Sequence, residues 1–143
     1  MKELLQTETA IYQDIETVWQ RVSALAEYGH LWLPHTSAIS KKTPGATGEQ
    51  SLFGLSHFGS ESLCRITDFR HPHLLSLEIV TRRARVYVTL ILIEDGNAVQ
   101  LTAVVSAELT GLSRLLPPLS YWYIRRIFRG LTQRIRKIAC QPY

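Results

Sequence analysis

The sequence predicts an α+β fold, an antiparallel sheet curved around one long C-terminal helix. Two patterns carry this reading. From Pro118 to Ala139 the apolar residues Leu119, Tyr123, Ile124, Ile127, Phe128, Leu131, Ile135 and Ile138 recur at helical spacing and share one half-cylinder, while Arg125, Arg126, Arg129, Arg136 and Lys137 share the other. Between residues 50 and 109 the period changes to two, in short runs broken by turn residues, as in an antiparallel meander. A helix of about 20 residues is roughly 30 Å long and needs an equally long apolar surface to cover it. A curved sheet from the strand region would supply that surface.

The elements follow in order. Thr7, Thr9 and Ile11 alternate with Gln6, Glu8 and Ala10, which predicts a first strand over Leu4–Tyr12. Asp14 stands where an N-cap belongs, and Val18, Trp19, Val22 and Leu25 give a short amphipathic helix over Ile15–Leu25. A second short helix over Glu27–Leu33 stops at Pro34, and a short edge strand follows at Ser37–Lys41. Lys41–Glu49, KKTPGATGE, is a turn-rich loop. Strands are then expected at Gln50–Phe58, Ser60–Phe69, Leu74–Thr81, Arg85–Glu94 and Ala98–Leu109, with breaks at Gly59, at His71-Pro72-His73 and at Asp95-Gly96.

Asp-Gly between two alternating runs is a strong hairpin signal. With Asp95-Gly96 as the two-residue turn, Leu92 falls opposite Val99, Leu90 opposite Leu101, Val88 opposite Ala103 and Val86 opposite Val105. That face is wholly apolar, and its small Ala103 and Ala107 leave room above the sheet. The other face carries Arg85, Tyr87 and Thr89 against Thr102, Val104 and Ser106, a mixed and more polar set suited to solvent. Pro117-Pro118 ends any helix begun at Leu112, and Pro118 suits the first position of the next one.

Length and composition bound the function. A chain of 143 residues that is 45% hydrophobic and 20% charged is expected to fold as a single domain, 1–143, with a full core. No run of 18 apolar residues occurs, so no membrane-spanning helix is expected. The first residues lack the apolar stretch of a secretory signal. Cys64 and Cys140 match no metal or redox spacing, and reduced thiols in the cytoplasm are the expectation. The net charge of +4 is unevenly placed: all twelve acids lie at or before Glu108, and seven of the sixteen lysines and arginines follow it. A helix so charged suits an acidic surface, whether membrane, nucleic acid or protein, or else simply faces solvent.

Catalytic patterns are weak. No G-x-S-x-G elbow, G-x-G-x-x-G or phosphate-binding loop occurs. His71 and His73 flank Pro72 in a turn, with no marked further ligands for a metal. His30 and His35 bracket Trp32, as capping residues or at a cavity mouth, and His57 would be a general base if it pointed inward. No metal and no cofactor is expected.

The order of strand, two short helices, antiparallel strands and final helix resembles the helix-grip proteins of the START-related, Bet v 1-like superfamily, and within it the bacterial polyketide cyclase/dehydrase and lipid transport group. Four places carry the resemblance: Asp14-Ile15-Glu16-Thr17-Val18-Trp19 after the first strand, Trp32-Leu33-Pro34, Ile66-Thr67-Asp68-Phe69-Arg70-His71-Pro72, and Leu109-Thr110-Gly111-Leu112 before the last helix. The resemblance implies about seven strands gripping the helix over an apolar cavity. It implies a hydrophobic ligand such as a lipid, isoprenoid or polyketide, and it carries over no catalytic residue.

The expected cavity wall is Val86, Val88, Leu90, Leu101, Ala103 and Val105 from the strands, with Tyr123, Ile127 and Leu131 from the helix. Each is equally explained as filled core. Trp122 falls among Arg125, Arg126 and Arg129, a set suited to an anionic membrane surface or another acidic partner, or to a plain stack of Trp122 on Arg125 or Arg126. A ligand binder is the leading reading. A cyclase- or dehydratase-like enzyme and a module docking through its basic helix are the alternatives. The expected location is the cytoplasm, peripheral to the membrane if that helix docks there.

Overall fold

The computed structural model describes residues 2–57 and 60–140; the predicted break at Gly59 lies outside them. Seven strands form: β1 (Lys2–Ile11), β2 (Ala38–Lys41), β3 (Leu52–His57), β4 (Ser60–Arg70), β5 (Leu74–Val80), β6 (Ala84–Asp95) and β7 (Ala98–Leu109). The helices are α1 (Ile15–Ser23), α2 (Leu25–Trp32), α3 (Pro117–Phe128) and α4 (Leu131–Ala139), with a short 3-10 turn at Gly111–Leu115 before α3. The strands make one antiparallel sheet in the order β1-β7-β6-β5-β4-β3-β2. The chain therefore runs from one edge, β1, to the other edge through α1 and α2. It then returns strand by strand until β7 pairs with β1.

The β6–β7 hairpin shows how local chemistry sets register. Asp95 pairs with Ala98, so the turn is Gly96-Asn97, one residue later than expected. Only Gly96 takes a positive φ, +63°, which suits a turn with glycine at its first central position; a turn at Asp95-Gly96 would ask aspartate to enter the left-handed region. The pairs become Leu92 with Leu101, Leu90 with Ala103, Val88 with Val105 and Val86 with Ala107. The pairing slides by two residues, an even step, so every side chain keeps its predicted face. All eight of these residues are buried, while Arg85 is exposed and Tyr87 half-buried on the outer side.

At the β1 edge a bulge between Glu3 and Leu5 interrupts the ladder to β7. Arg125 of α3 donates from Nε to the Leu4 carbonyl at 2.9 Å, at the bulged residue. The turn between β4 and β5 is tied to α1: His71 Nε2 lies 2.8 Å from Glu16 Oε2, and its ring meets Trp19 edge-on at 5.5 Å between centroids. Gly29 lets α2 close on β2, because a Cβ there would run into Ile39 Cδ1.

The C-terminal helical segment is present but broken. Arg129 and Gly130 form a turn between α3 and α4, and Gly130 has the non-helical angles φ −93° and ψ 15°. Arg134 spans the break: it donates from Nε to the Trp32 carbonyl at 3.1 Å and from Nη2 to the Ile127 carbonyl at 3.3 Å. The two pieces are packed unequally. In α4, Leu131, Thr132, Ile135, Ile138 and Ala139 are buried against α1, α2, β1 and β7. In α3 only Ile124 and Phe128 are fully buried, against β7 and β1.

Candidate functional site

The inner face of β6 and β7 is the wall the sequence marks. Val86, Val88, Leu90, Leu101, Ala103 and Val105 are all buried on it. On the neighbouring strand Thr7 pairs with Ala103 and Thr9 with Leu101, so β1 brings two hydroxyls to the same face. Among the described residues the buried Thr7 Oγ1 has no hydrogen-bond partner, and neither has Nε1 of the fully buried Trp32. A buried hydroxyl without a partner forgoes about 1–3 kcal/mol, so such a group in an apolar wall is unusual. Sequence reasoning put Thr7 on one side of a first strand but neither paired that strand with β7 nor marked Thr7 as a site residue, because partners and orphanhood depend on neighbours that alternation does not reveal.

From the helices, Leu131 is fully buried and Ile127 packs half-buried against the core. Tyr123 departs from expectation. It is 52% exposed, and Leu119, one turn before it, is 59% exposed. The face of α3 that meets the sheet is centred on Ile124 and Phe128, with Tyr121 and Ile127 at its sides. That rotates Leu119 and Tyr123 onto the outer face, because α3 covers only the β1–β7 edge and leaves part of its apolar half uncovered.

Two clefts open beside the C-terminal helices, and neither is lined by the expected wall residues. One of about 320 Å³ lies at the end of α2, where His30, His35 and Arg134 meet Leu31, Leu33 and Pro34. Burial lowers the pKa of Arg134 below its ordinary value. A second cleft, of about 230 Å³, lies between the start of β1 and the start of α3, among Lys2, Leu4, Pro118, Tyr121, Trp122 and Arg125. At its rim the Lys2 ammonium sits 4.8 Å from the centre of the Tyr121 ring.

No protein-family model matches the chain, and no curated protein does. Solved structures do. Ara h 8.0201 superposes with a TM-score of 0.71 over 94% of this chain and 95% of its own, at 12% identity. A Bacillus halodurans protein solved in solution matches over 97% of this chain and 99% of its own, at 24% identity and a TM-score of 0.69. Norcoclaurine synthase from Thalictrum flavum, in complex with dopamine and hydroxybenzaldehyde, matches over 97% of this chain and 88% of its own, at 12% identity and a TM-score of 0.66. The chain has the Bet v 1-like helix-grip fold. The resemblance read in the sequence thus holds at the level of architecture: seven antiparallel strands, two early helices and a C-terminal helical segment.

Within this Bet v 1-like frame the titratable groups are mostly tied down. His71 is held by Glu16 and Trp19, and His73 Nδ1 lies 3.0 Å from the Leu92 carbonyl, so the turn histidines serve the fold. The His57 side chain lies outside what the structure describes. Cys64 and Cys140 are both free thiols. Burial, with Glu78 adding a smaller repulsion, pushes the Cys64 thiol up to about 12, which keeps it protonated and a poor nucleophile. On α3, Trp122 is half exposed and the Arg126 guanidinium stacks over its ring at 5.4 Å. Of the two stacks the sequence allowed, the structure forms this one. Arg125, Arg126 and Arg129 are all exposed. Among the described residues no helix is long and apolar enough to cross a membrane.

Proposed function

We propose that this protein binds a hydrophobic small molecule of lipid, isoprenoid or polyketide-like character against the inner face of β1, β7 and β6, beneath α3. The observation that carries the reading is the Thr7 hydroxyl. It lies beside Ala103 in a wall that is apolar but for Thr7 and Thr9, and it has no hydrogen-bond partner among the described residues. A mainly apolar ligand bearing one hydroxyl or carbonyl would satisfy it, the usual pairing of an apolar pocket with a few placed polar groups. Two further features support the reading. Ala103 and Ala107 are small where their neighbours are large, and α3 buries just two of its described side chains, Ile124 and Phe128, with Tyr121 and Ile127 half-buried beside them. A protein of the same fold, norcoclaurine synthase, is described with two small aromatic molecules bound.

The test is native mass spectrometry on protein purified from its own host, before and after organic extraction. The expected result is a co-purifying mass of a few hundred daltons that extraction removes. The extracted protein should then take it back with one-to-one stoichiometry. A chain that emerges bare, and that binds neither the host's lipid extract nor small isoprenoid and aromatic polyketide probes, would refute the proposal.

A further inference from the structure

The start of α3 presents an apolar surface that the core does not use. Among the described residues, nine large apolar side chains are exposed, and five of them fall within nine positions: Leu115 at 74%, Leu116 at 62%, Leu119, Trp122 at 50% and Tyr123. Scattered single exposures are ordinary, but a cluster of this size on one segment is not. Cations surround it. Arg114, Arg125, Arg126 and Arg129 are exposed on the same segment. No acid follows Glu108, and none of these arginines forms an ion pair among the described residues. The neighbouring cleft adds Lys2 at its rim and is lined by no carboxylate.

Arginines alone would suit any acidic partner. Exposed leucines and tyrosine interleaved with them suit one that offers both negative charge and hydrocarbon. An amphipathic helix lying in the plane of a bilayer is held in this way, with its apolar side chains sunk into the acyl boundary and its basic ones at the headgroups. We propose that the surface formed by residues 114–129 docks on an anionic phospholipid bilayer, with Leu115, Leu116, Leu119, Trp122 and Tyr123 inserted. Arg126 and Arg129 lie at the phosphate level, and the Lys2–Arg125 cleft faces a lipid headgroup. This holds whether or not the interior takes a ligand, since every group involved lies outside the β6–β7 wall.

The geometry makes the test sharp, because Trp19 and Trp32 are buried and Trp122 is the exposed tryptophan. The purified protein is mixed with vesicles of phosphatidylcholine alone or with added phosphatidylglycerol, at low and high salt. Binding is read by co-flotation, and insertion by Trp122 emission and its quenching by brominated acyl chains. Phosphatidylglycerol vesicles should bind the protein, shift its emission to the blue and quench it, and high salt should weaken the association. Arg126→Gln with Arg129→Gln should lower partitioning by about 25-fold, five-fold for each charge at about 1 kcal/mol apiece. Leu116→Ser should lower it on the same vesicles while leaving the melting temperature unchanged, which separates docking from folding.

Equal binding to neutral and anionic vesicles would overturn the proposal. So would salt-sensitive binding with unshifted, unquenched Trp122 emission, which would mean adsorption by charge alone and would favour RNA or an acidic protein as the partner. Light scattering that shows dimers lost in Leu116→Ser, with no vesicle binding, would overturn it in favour of a second copy of the chain.

Discussion

Replacing Thr7 by Val probes the interior most directly. Valine has the shape of threonine and the same branching at Cβ, so β1 keeps its strand preference and its pairing with Ala103. The change removes one hydroxyl that is buried without a partner. It therefore relieves about 1–3 kcal/mol of uncompensated desolvation and adds the burial of one methyl group, about 0.8 kcal/mol. Thr7 is only half-buried as a residue, so the lower half of the desolvation range applies, about 1–2 kcal/mol, and with the methyl the gain is about 2–3 kcal/mol. At this chain length each kcal/mol raises the melting temperature by about 4 °C. The assay is urea unfolding of extracted, ligand-free protein, with the slope compared as well as the midpoint. Thr7→Ser is the control: it keeps the hydroxyl and loses a methyl, so it should destabilise. In the ligand-bound protein the order should change, because Thr7→Val loses a hydrogen bond worth about 0.5–1.5 kcal/mol, or roughly 2- to 13-fold in affinity. A ligand-free Thr7→Val that is no more stable than the parent would refute the reasoning, since the hydroxyl would then have a partner in solution.

Two further outcomes follow from local geometry. Asp14 holds the cap position of α1 with an extended backbone, but its carboxylate accepts from the Thr17 hydroxyl and bonds no backbone N–H. Asp14→Ala should therefore cost about 0.5 kcal/mol, the low end of the capping range, and a loss above 1 kcal/mol by urea titration would show a true cap. Cys64 is raised from 9.0 to about 12 in the folded chain. Below pH 9 the thiol is protonated in both states and contributes no pH dependence. As pH rises from 9 towards 12 the unfolded thiol ionises first, and stability falls by about 1.4 kcal/mol per pH unit from this group. Cys64→Ala should flatten that alkaline limb. An unchanged limb would contradict the burial assigned to Cys64.

The β6–β7 hairpin was legible because alternation and a glycine turn both act over a few residues. Its turn was misplaced by one, since Asp95-Gly96 and Gly96-Asn97 are both turn dipeptides and only the cost of a positive φ separates them. The face of α3 was less legible. Helical spacing groups Leu119 and Tyr123 with Ile127, but it does not say how much sheet lies beneath. The surface available to α3 ends at the β1–β7 edge. The break at Gly130 had a local signal, a glycine inside a helical pattern, which the strong periodicity on both sides outweighed. The orphaned Thr7 hydroxyl had no local signal at all, because its lack of a partner is a property of what surrounds it.

The break at Gly130 also divides the molecule energetically. Detaching α3 exposes chiefly Ile124 and Phe128, at about 1.5–3 kcal/mol for each buried side chain. Detaching α4 exposes five buried residues in nine and the anchorage of Arg134 to Trp32. A continuous helix would have to leave the sheet as one unit. With the backbone interrupted at Gly130, α3 can exchange its contacts while α4 stays in place. The first opening of the native state is then expected to be a sub-global excursion, well short of complete unfolding, readable as faster amide exchange in α3 than in α4. The same helix that packs on β1 and β7 is the one that displays the leucines and arginines outward. An outside surface couples to that detachment only through its differential affinity for the two states. A surface that binds the detached α3 more tightly than the docked one raises the population of chains in which the β1–β7 wall is uncovered, and one that binds both equally leaves it unchanged.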